Sequence, residues 1–242
     1  MIRRVLAPIA LFAVLAAAPQ PPLALSLRFA RTSFDLLDPV GIQLIIDNPG
    51  NRRRDVAFAT PNEYTLAIYR GRKELWHSAA VSTTNATTSG KSHARNIPPG
   101  ASVFVTYVWN ALDARGESPA QGRYRVVATF AGIGARLQAT RMLRFIAPLG
   151  ANSVAHLPVG SVATIAGRLD ADRDSISTDG YTLRLSRIVR GIAAGRCIVV
   201  RGQVTALRGV RGFDVSRSAP LQAAGRDRDC DPAGARYPRR FR

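Results

Sequence analysis

The 242-residue sequence predicts an all-β chain: an antiparallel sandwich, then a small β-barrel, behind an N-terminal export signal. Three observations carry this. Short runs alternate apolar and polar residues with period two, as half-buried strands do. Clusters of Gly, Pro, Asn and Asp separate those runs at intervals of roughly 10–15 residues. Past the first two dozen residues, no window has the 3.6-residue periodicity of a helix. With 46% apolar and 21% charged residues, the composition is that of a globular chain.

Residues 1–24 read as a signal peptide. Arg3 and Arg4 precede a 14-residue apolar run, Val5 to Ala18, which small residues close. The run is shorter than the ~20 residues a membrane-spanning helix needs, and Pro8 interrupts it. Cleavage is expected after Ala16, Ala17 or Ala24. No Cys stands directly after the small residues, so there is no lipid attachment point, and no second long apolar run follows either. The expected location is periplasmic or extracellular, with no transmembrane span once the signal is removed.

Residues 25–147 are the sandwich. Gly41–Asp47 is a strand stopped by Asn48-Pro49-Gly50. Tyr64–Tyr69 alternates, turns at Arg70-Gly71 and returns as Lys73–His77. Ser102–Trp109 follows the turn Pro98-Pro99-Gly100, where Pro presets φ and Gly accepts a positive one. Tyr124–Phe130 and Arg136–Phe145 complete about seven strands. Trp76 and Trp109, on alternating strands, are expected in the core, each burying on the order of 200 Å².

Residues 148–158, with two prolines, are expected to be a linker, and 159–224 a barrel. Its strands are Ser161–Leu169, Ile176–Leu185 interrupted by the turn Asp179-Gly180, Arg196–Thr205 and Gly212–Arg217. Residues 225–242 are charged, lack periodicity and read as a flexible tail.

The chain has two cysteines, too few for a four-thiolate zinc site. In an exported protein, Cys197 and Cys230 are candidates for a disulfide, with a buried free thiol as the alternative. Asp170, Asp172, Asp174 and Asp179 invite a calcium reading, the first three having the spacing that opens a calcium loop. Ser175 then stands where the turn Gly belongs and Tyr181 where the closing Glu belongs, so a solvated hairpin is expected. His77, His93 and His156 are scattered. There is no G-x-S-x-G, no P-loop and no dinucleotide fingerprint, and the chain reads as a non-enzyme without a cofactor.

The ordered motifs of residues 40–130 are Leu44-Ile45-Ile46-Asp47-Asn48, Tyr64-Thr65-Leu66-Ala67-Ile68, Gly71 to Leu75-Trp76-His77-Ser78, Pro98-Pro99-Gly100, Val108-Trp109 and Gly122-Arg123-Tyr124. In this order they resemble the BsuPI-type intracellular proteinase inhibitor family. The resemblance implies an immunoglobulin-like fold and proteinase inhibition through a sandwich end loop. Thr65 departs from the acidic residue expected there, and the chain carries an export signal. The candidate loop is the nineteen-residue connection Ser78 to Asn96, long for a compact domain, with a passive connection or a further edge strand over Ala80–Thr84 as the alternatives. Its candidate contact residues are Ser82, Thr83, Thr84, Asn85, Lys91 and His93. Asn85-Ala86-Thr87 also matches a glycosylation acceptor, read as a chance match.

Gly195 to Val204 resembles, more weakly, a strand of small OB-fold barrels. That would imply binding of an anionic polymer through Arg184, Arg187, Arg190, Arg196, Arg201, Arg208 and Arg211, but Tyr181 and Phe213 alone are a thin stacking platform.

The net charge of +18 comes from 34 basic and 16 acidic residues, and all but Lys73 and Lys91 of the basic ones are Arg. Residues 30–150 carry 15 basic and 8 acidic side chains, and residues 151–242 carry 16 and 8, so neither half monopolises the excess. The expectation is an exported protein-binding module whose partner is a protein such as a protease. A non-inhibitory envelope adaptor is the alternative, with contact to an anionic envelope polymer. Nucleic acid is not an expected partner.

Overall fold

The computed structural model describes residues 22–58, 63–78, 93–133, 135–178, 181–207, 209–221 and 230. The first half is a sandwich. Its strands are β1 (Ala24–Phe29), β2 (Ser33–Phe34), β3 (Val40–Asp47), β4 (Arg54–Phe58), β5 (Tyr64–Arg70), β6 (Lys73–His77), β7 (His93–Ile97), β8 (Ser102–Trp109), β9 (Gly122–Gly132) and β10 (Ala135–Phe145). One sheet has the order β1-β3-β8. The facing sheet has the order β2-β10-β9-β5-β6, and β4 pairs with β7 as a separate ribbon. Period-two alternation decides which side chains go inside: Ile42, Leu44 and Ile46 of β3 meet Leu66, Ile68, Val126, Ala128 and Phe130 of the facing sheet.

Trp109 is buried and its indole N–H donates to Leu112 O at 2.8 Å. Trp76 is half-buried and packs on Tyr107 and Trp109, closing one side of the sandwich. At the start of β9 the buried Tyr124 hydroxyl donates to Ala120 O. This is the tyrosine corner found in immunoglobulin-like sandwiches.

The second half is a closed barrel. Its strands are β11 (Leu149–Gly150), β12 (Val162–Leu169), β13 (Ser175–Thr178), β14 (Tyr181–Leu185), β15 (Cys197–Leu207) and β16 (Val210–Pro220). Strand β12 pairs with both β13 and β15, and β14 pairs parallel with β16, giving the ring β12-β13-β14-β16-β15. A Greek-key ring of five strands is the OB-like architecture. A register shift between Arg201 and Gly202 bends β15. Only glycine fits at the second of these positions, because a Cβ there would lie 1.9 Å from Asp214 O.

In the sandwich, four strands lie where the sequence did not suggest them. β1 and β2 are short or adjoin the expected signal, while β4 and β7 are mixed in polarity and support each other by pairing. Because β7 takes up His93–Ile97, the expected nineteen-residue connection is shorter than its sequence limits. The expected linker 148–158 is also different. Leu149–Gly150 pairs with β12, and Ala151–His156 forms a 3-10 turn whose Val154 is buried in the barrel core. Its prolines flank this segment and leave the interior free to pair. Residues 1–21 and most of the expected tail lie outside the described residues, while Leu23 packs on the sandwich core just before β1.

Candidate functional site

Ser82, Thr83, Thr84, Asn85 and Lys91 lie outside the described residues, and His93 opens β7, paired with Phe58. What the structure does describe is how this connection is held at both ends. At the β6 end, buried Ser78 binds Leu66 twice: Leu66 N donates to Ser78 Oγ at 2.9 Å, and Ser78 N donates to Leu66 O at 2.8 Å. At the β7 end, Arg95 forms an ion pair with fully buried Glu63 at 3.1 Å. Asn96 donates to Asp55 across the β4–β7 ribbon at 2.6 Å, and that bond is the main reason the Asp55 carboxyl is held below its usual range. The described residues on either side of 79–92 are thus tied to the sandwich, Ser78 to Leu66 and Arg95 to Glu63.

The barrel arginines form a second constellation. Arg201 and Arg217 face each other across β15 and β16. Arg201 Nη1 reaches Asp38 Oδ1 at 2.7 Å, Thr164 Oγ1 at 3.1 Å and Asp35 Oδ2 at 3.5 Å. Arg217 donates to Leu37 O at 2.6 Å and to Asn110 O at 3.1 Å. Asp38 is only 2% exposed, and its other oxygen is held by Arg31 and by the Asp35 N–H. The two sandwich loops presenting these acceptors both contain a buried residue with positive φ, Leu37 at 67° and Ala111 at 55°. Such a conformation costs a non-glycine residue about 1–3 kcal/mol and persists only when its surroundings hold it. Val199 and Ala219 of the barrel wall complete the joint by packing into the sandwich core. Arg196 adds an ion pair with Glu117 at 3.2 Å, and Ser118 N donates to Pro220 O at 2.8 Å.

The other barrel arginines also bind the chain itself. Arg168 donates to Gly195 O, Arg187 to Ser216 O, and Arg211 to Leu157 O in the 3-10 segment. Arg184 pairs with Asp174. Arg190 is exposed, and Arg208 lies outside the described residues. The two barrel aromatics offer no stacking platform, since Phe213 is fully buried and Tyr181 packs on the same core. The outward face of β13 and β14 carries Ser177, Thr182 and Arg184 instead.

Asp170, Asp172 and Asp174 build a turn. Burial pushes the Asp170 carboxyl up, but hydrogen bonds from Ser175 Oγ at 2.7 Å and from neighbouring backbone N–H groups outweigh it, and the net shift is down. Among the described residues, no three His, Cys, Asp or Glu side chains are placed to hold a metal ion. Cys197 and Cys230 are joined by a disulfide with Cα atoms 5.2 Å apart. A cleft of about 470 Å³ lies between β6, the turn 113–117 and the barrel, lined by Lys73, Glu74, Leu75, Asp113, Arg115 and Arg196, among others.

No family model and no curated protein matches the chain. Solved structures resemble it distantly. A β-glucosidase from Erythrobacter marinus is 13% identical with a TM-score of 0.31, over 51% of this chain and 15% of that one. The CARDB domain of a Pyrococcus furiosus protein, solved with di-metal ions, is 12% identical with a TM-score of 0.30, over 52% and 90%. The sporulation control protein Spo0M from Bacillus subtilis is 8% identical with a TM-score of 0.34, over 80% and 84%. The chain thus spans about 15% of the β-glucosidase's length, and no activity is carried over from any of the three.

Sequence reasoning missed the Arg201–Asp38 and Arg217 contacts. They join residues more than a hundred positions apart, and positive φ at a Leu and an Ala has no compositional signature.

Proposed function

We propose that this chain is an exported, non-enzymatic protein-binding module that presents residues 79–92 to its partner from the end of the sandwich. A proteinase is the partner that the BsuPI-type resemblance suggests. The supporting observation is the pair of fixed posts, Ser78 on Leu66 and Arg95 on Glu63. Anchoring both ends lowers the ordering entropy that a bound segment must lose, which is how a loop on a rigid scaffold gains affinity. Export is supported by the signal pattern of residues 1–24 and by the Cys197–Cys230 bridge, since disulfides persist in oxidising compartments.

The test is a panel of serine, cysteine, aspartic and metalloproteinases titrated with the mature protein. Inhibition is expected for at least one class, and it should vanish when 79–92 is replaced by a Gly/Ser segment of equal length while the melting temperature holds. No inhibition of any class at micromolar protein sinks the inhibitor assignment. A second reading, a structural adaptor of the envelope, is favoured by the Arg201 and Arg217 clamps, which fix one domain's orientation on the other. Unchanged partner capture by the Gly/Ser variant would select it.

A further inference from the structure

The arginines divide into two sets by what their side chains do. One set, including Arg31, Arg141, Arg168, Arg187, Arg201, Arg211 and Arg217, donates to carboxylates or backbone carbonyls of this chain. The other set donates to no acceptor among the described residues, and four of its members share one surface. Arg123 and Arg125 of β9 and Arg136 and Arg144 of β10 all have the outward parity of the five-stranded sheet, and all are exposed. Arg123 and Arg144 are direct cross-strand partners. Two like charges in that position destabilise a sheet, so their pairing has no structural benefit. Arg125 lies over the Tyr69 ring, 4.9 Å from its centroid, and its N–H edge stays open.

The sheet as a whole is strongly one-signed. Its strands β2, β10, β9, β5 and β6 carry Arg70, Lys73, Arg123, Arg125, Arg136, Arg141 and Arg144, against the single carboxylate Glu74 at the far edge. Glu74 is itself engaged by the Tyr69 hydroxyl and by His77, both at 2.9 Å. The facing sheet, by contrast, carries Arg28 and Asp47 only.

Between the charges the face carries polar side chains beside the exposed Met142. Arg144 and Arg136 are eight residues apart on one strand, or about 27 Å. Thr140, Gln138, Thr129 and Thr65 lie between them on the same outward parity. Hydroxyl and amide groups match the hydroxyls of a sugar chain. Among the described residues of this face, the one partly exposed ring, Tyr69, is covered by Arg125 and is not open for base stacking.

We propose that the outer face of this sheet binds a linear, carboxylate-bearing polysaccharide lying along β9 and β10. Arg123, Arg125, Arg144 and Arg136 bind its carboxylates through their planar forks, and the threonines and Gln138 bind its hydroxyls. This surface is independent of residues 79–92, and either assignment can fail alone.

The probe is an oligomeric polyuronate, titrated calorimetrically into the mature chain at low and physiological salt. Duplex DNA and anionic phospholipid vesicles are run alongside. Replacing Arg123, Arg125, Arg136 and Arg144 by Gln is expected to weaken polyuronate binding at least tenfold and to flatten its salt dependence. Because the Arg123–Arg144 repulsion goes with it, the melting temperature should hold or rise. The double variant Arg28→Gln/Arg190→Gln, which removes exposed charge elsewhere, should bind within about twofold of the parent. Three results would overturn the proposal: no polyuronate binding by the parent at millimolar probe, an equal loss in the Arg28/Arg190 variant, or tighter binding of DNA or vesicles through the same four arginines.

Discussion

Replacing Arg201 by Ala tests whether the two domains form one cooperative unit. The substitution removes three contacts at once: Asp38 at 2.7 Å, Thr164 at 3.1 Å and Asp35 at 3.5 Å. Breaking a buried ion pair from one side costs about 3–5 kcal/mol, because the remaining charge is left without its partner. Here Asp38 keeps Arg31 and the Asp35 N–H, so the lower end applies, about 3 kcal/mol. For a chain of this size that is a fall in melting temperature of about 6–12 °C. The assay is urea unfolding with two probes. Trp76 and Trp109 are the chain's two tryptophans and both lie in the sandwich, so indole fluorescence reports that half alone, while far-UV circular dichroism reports both. In the parent the two transitions should coincide, as a cooperative unit requires. In Arg201→Ala/Arg217→Ala they should separate. A double-mutant cycle of Arg201→Ala with Asp38→Asn should give a coupling of about 2 kcal/mol. Additivity within about 0.5 kcal/mol, or coincident transitions in the double-arginine variant, would refute the clamp.

Tyr124→Phe should lose about 1 kcal/mol by deleting the bond to Ala120 O, measured by the urea midpoint at pH 7. Burial raises the Tyr124 hydroxyl to about 12, with Arg70 pulling slightly the other way, so it holds its proton where an unfolded tyrosine has lost it. That contribution is present below pH 10 and is lost as pH rises from 10 towards 12, and the slope in this window should be shallower in Tyr124→Phe. Gly202→Ala should unfold the barrel, since its Cβ would overlap Asp214 O, whereas Gly41→Ala, with nothing within 4 Å, should melt close to the parent. Reducing Cys197–Cys230, which spans 33 residues, should cost about 3–4 kcal/mol by the chain-entropy account, read as a drop in melting temperature with a thiol reductant.

The strands that could be read from sequence were those with clean alternation and a turn beside them. Lys73–His77 and Ser102–Trp109 have the bounds their turns implied, and Asp179-Gly180 does separate β13 from β14. The ribbon β4–β7 was not legible, because Arg54–Phe58 and His93–Ile97 carry little alternation and each is stabilised by a partner some forty residues away. Neither was the role of 149–156, where two flanking prolines suggested a spacer but Val154 is buried. The candidate site was legible only as a connection of unusual length. Its posts are the bonds of Ser78 to the Leu66 backbone and a buried Glu63–Arg95 pair, and both depend on which strands are neighbours rather than on local composition. The basic face of β9 and β10 did leave a trace. Arg123 and Arg125, like Arg136 and Arg144, are an even number of residues apart, which in a strand means one face. Counting charge in blocks along the chain hides this, because period-two spacing never produces a run.

At position 217 the acceptors suit Arg and not Lys. Arg217 serves two carbonyls, Leu37 O and Asn110 O, from two loops, and does so with two nitrogens of one planar group. A lysine ammonium is a single centre on a flexible stem and cannot present two donors with that spacing. Each carbonyl belongs to, or directly precedes, a residue held at positive φ, so the guanidinium is among the surroundings that hold both loops. The net charge is therefore a poor guide to function by itself. Much of it is carried by guanidinium groups whose donors are already taken by this chain. The portion that can act on an external anion is set by which arginines lack an internal acceptor, and β9 and β10 gather four of those on one surface.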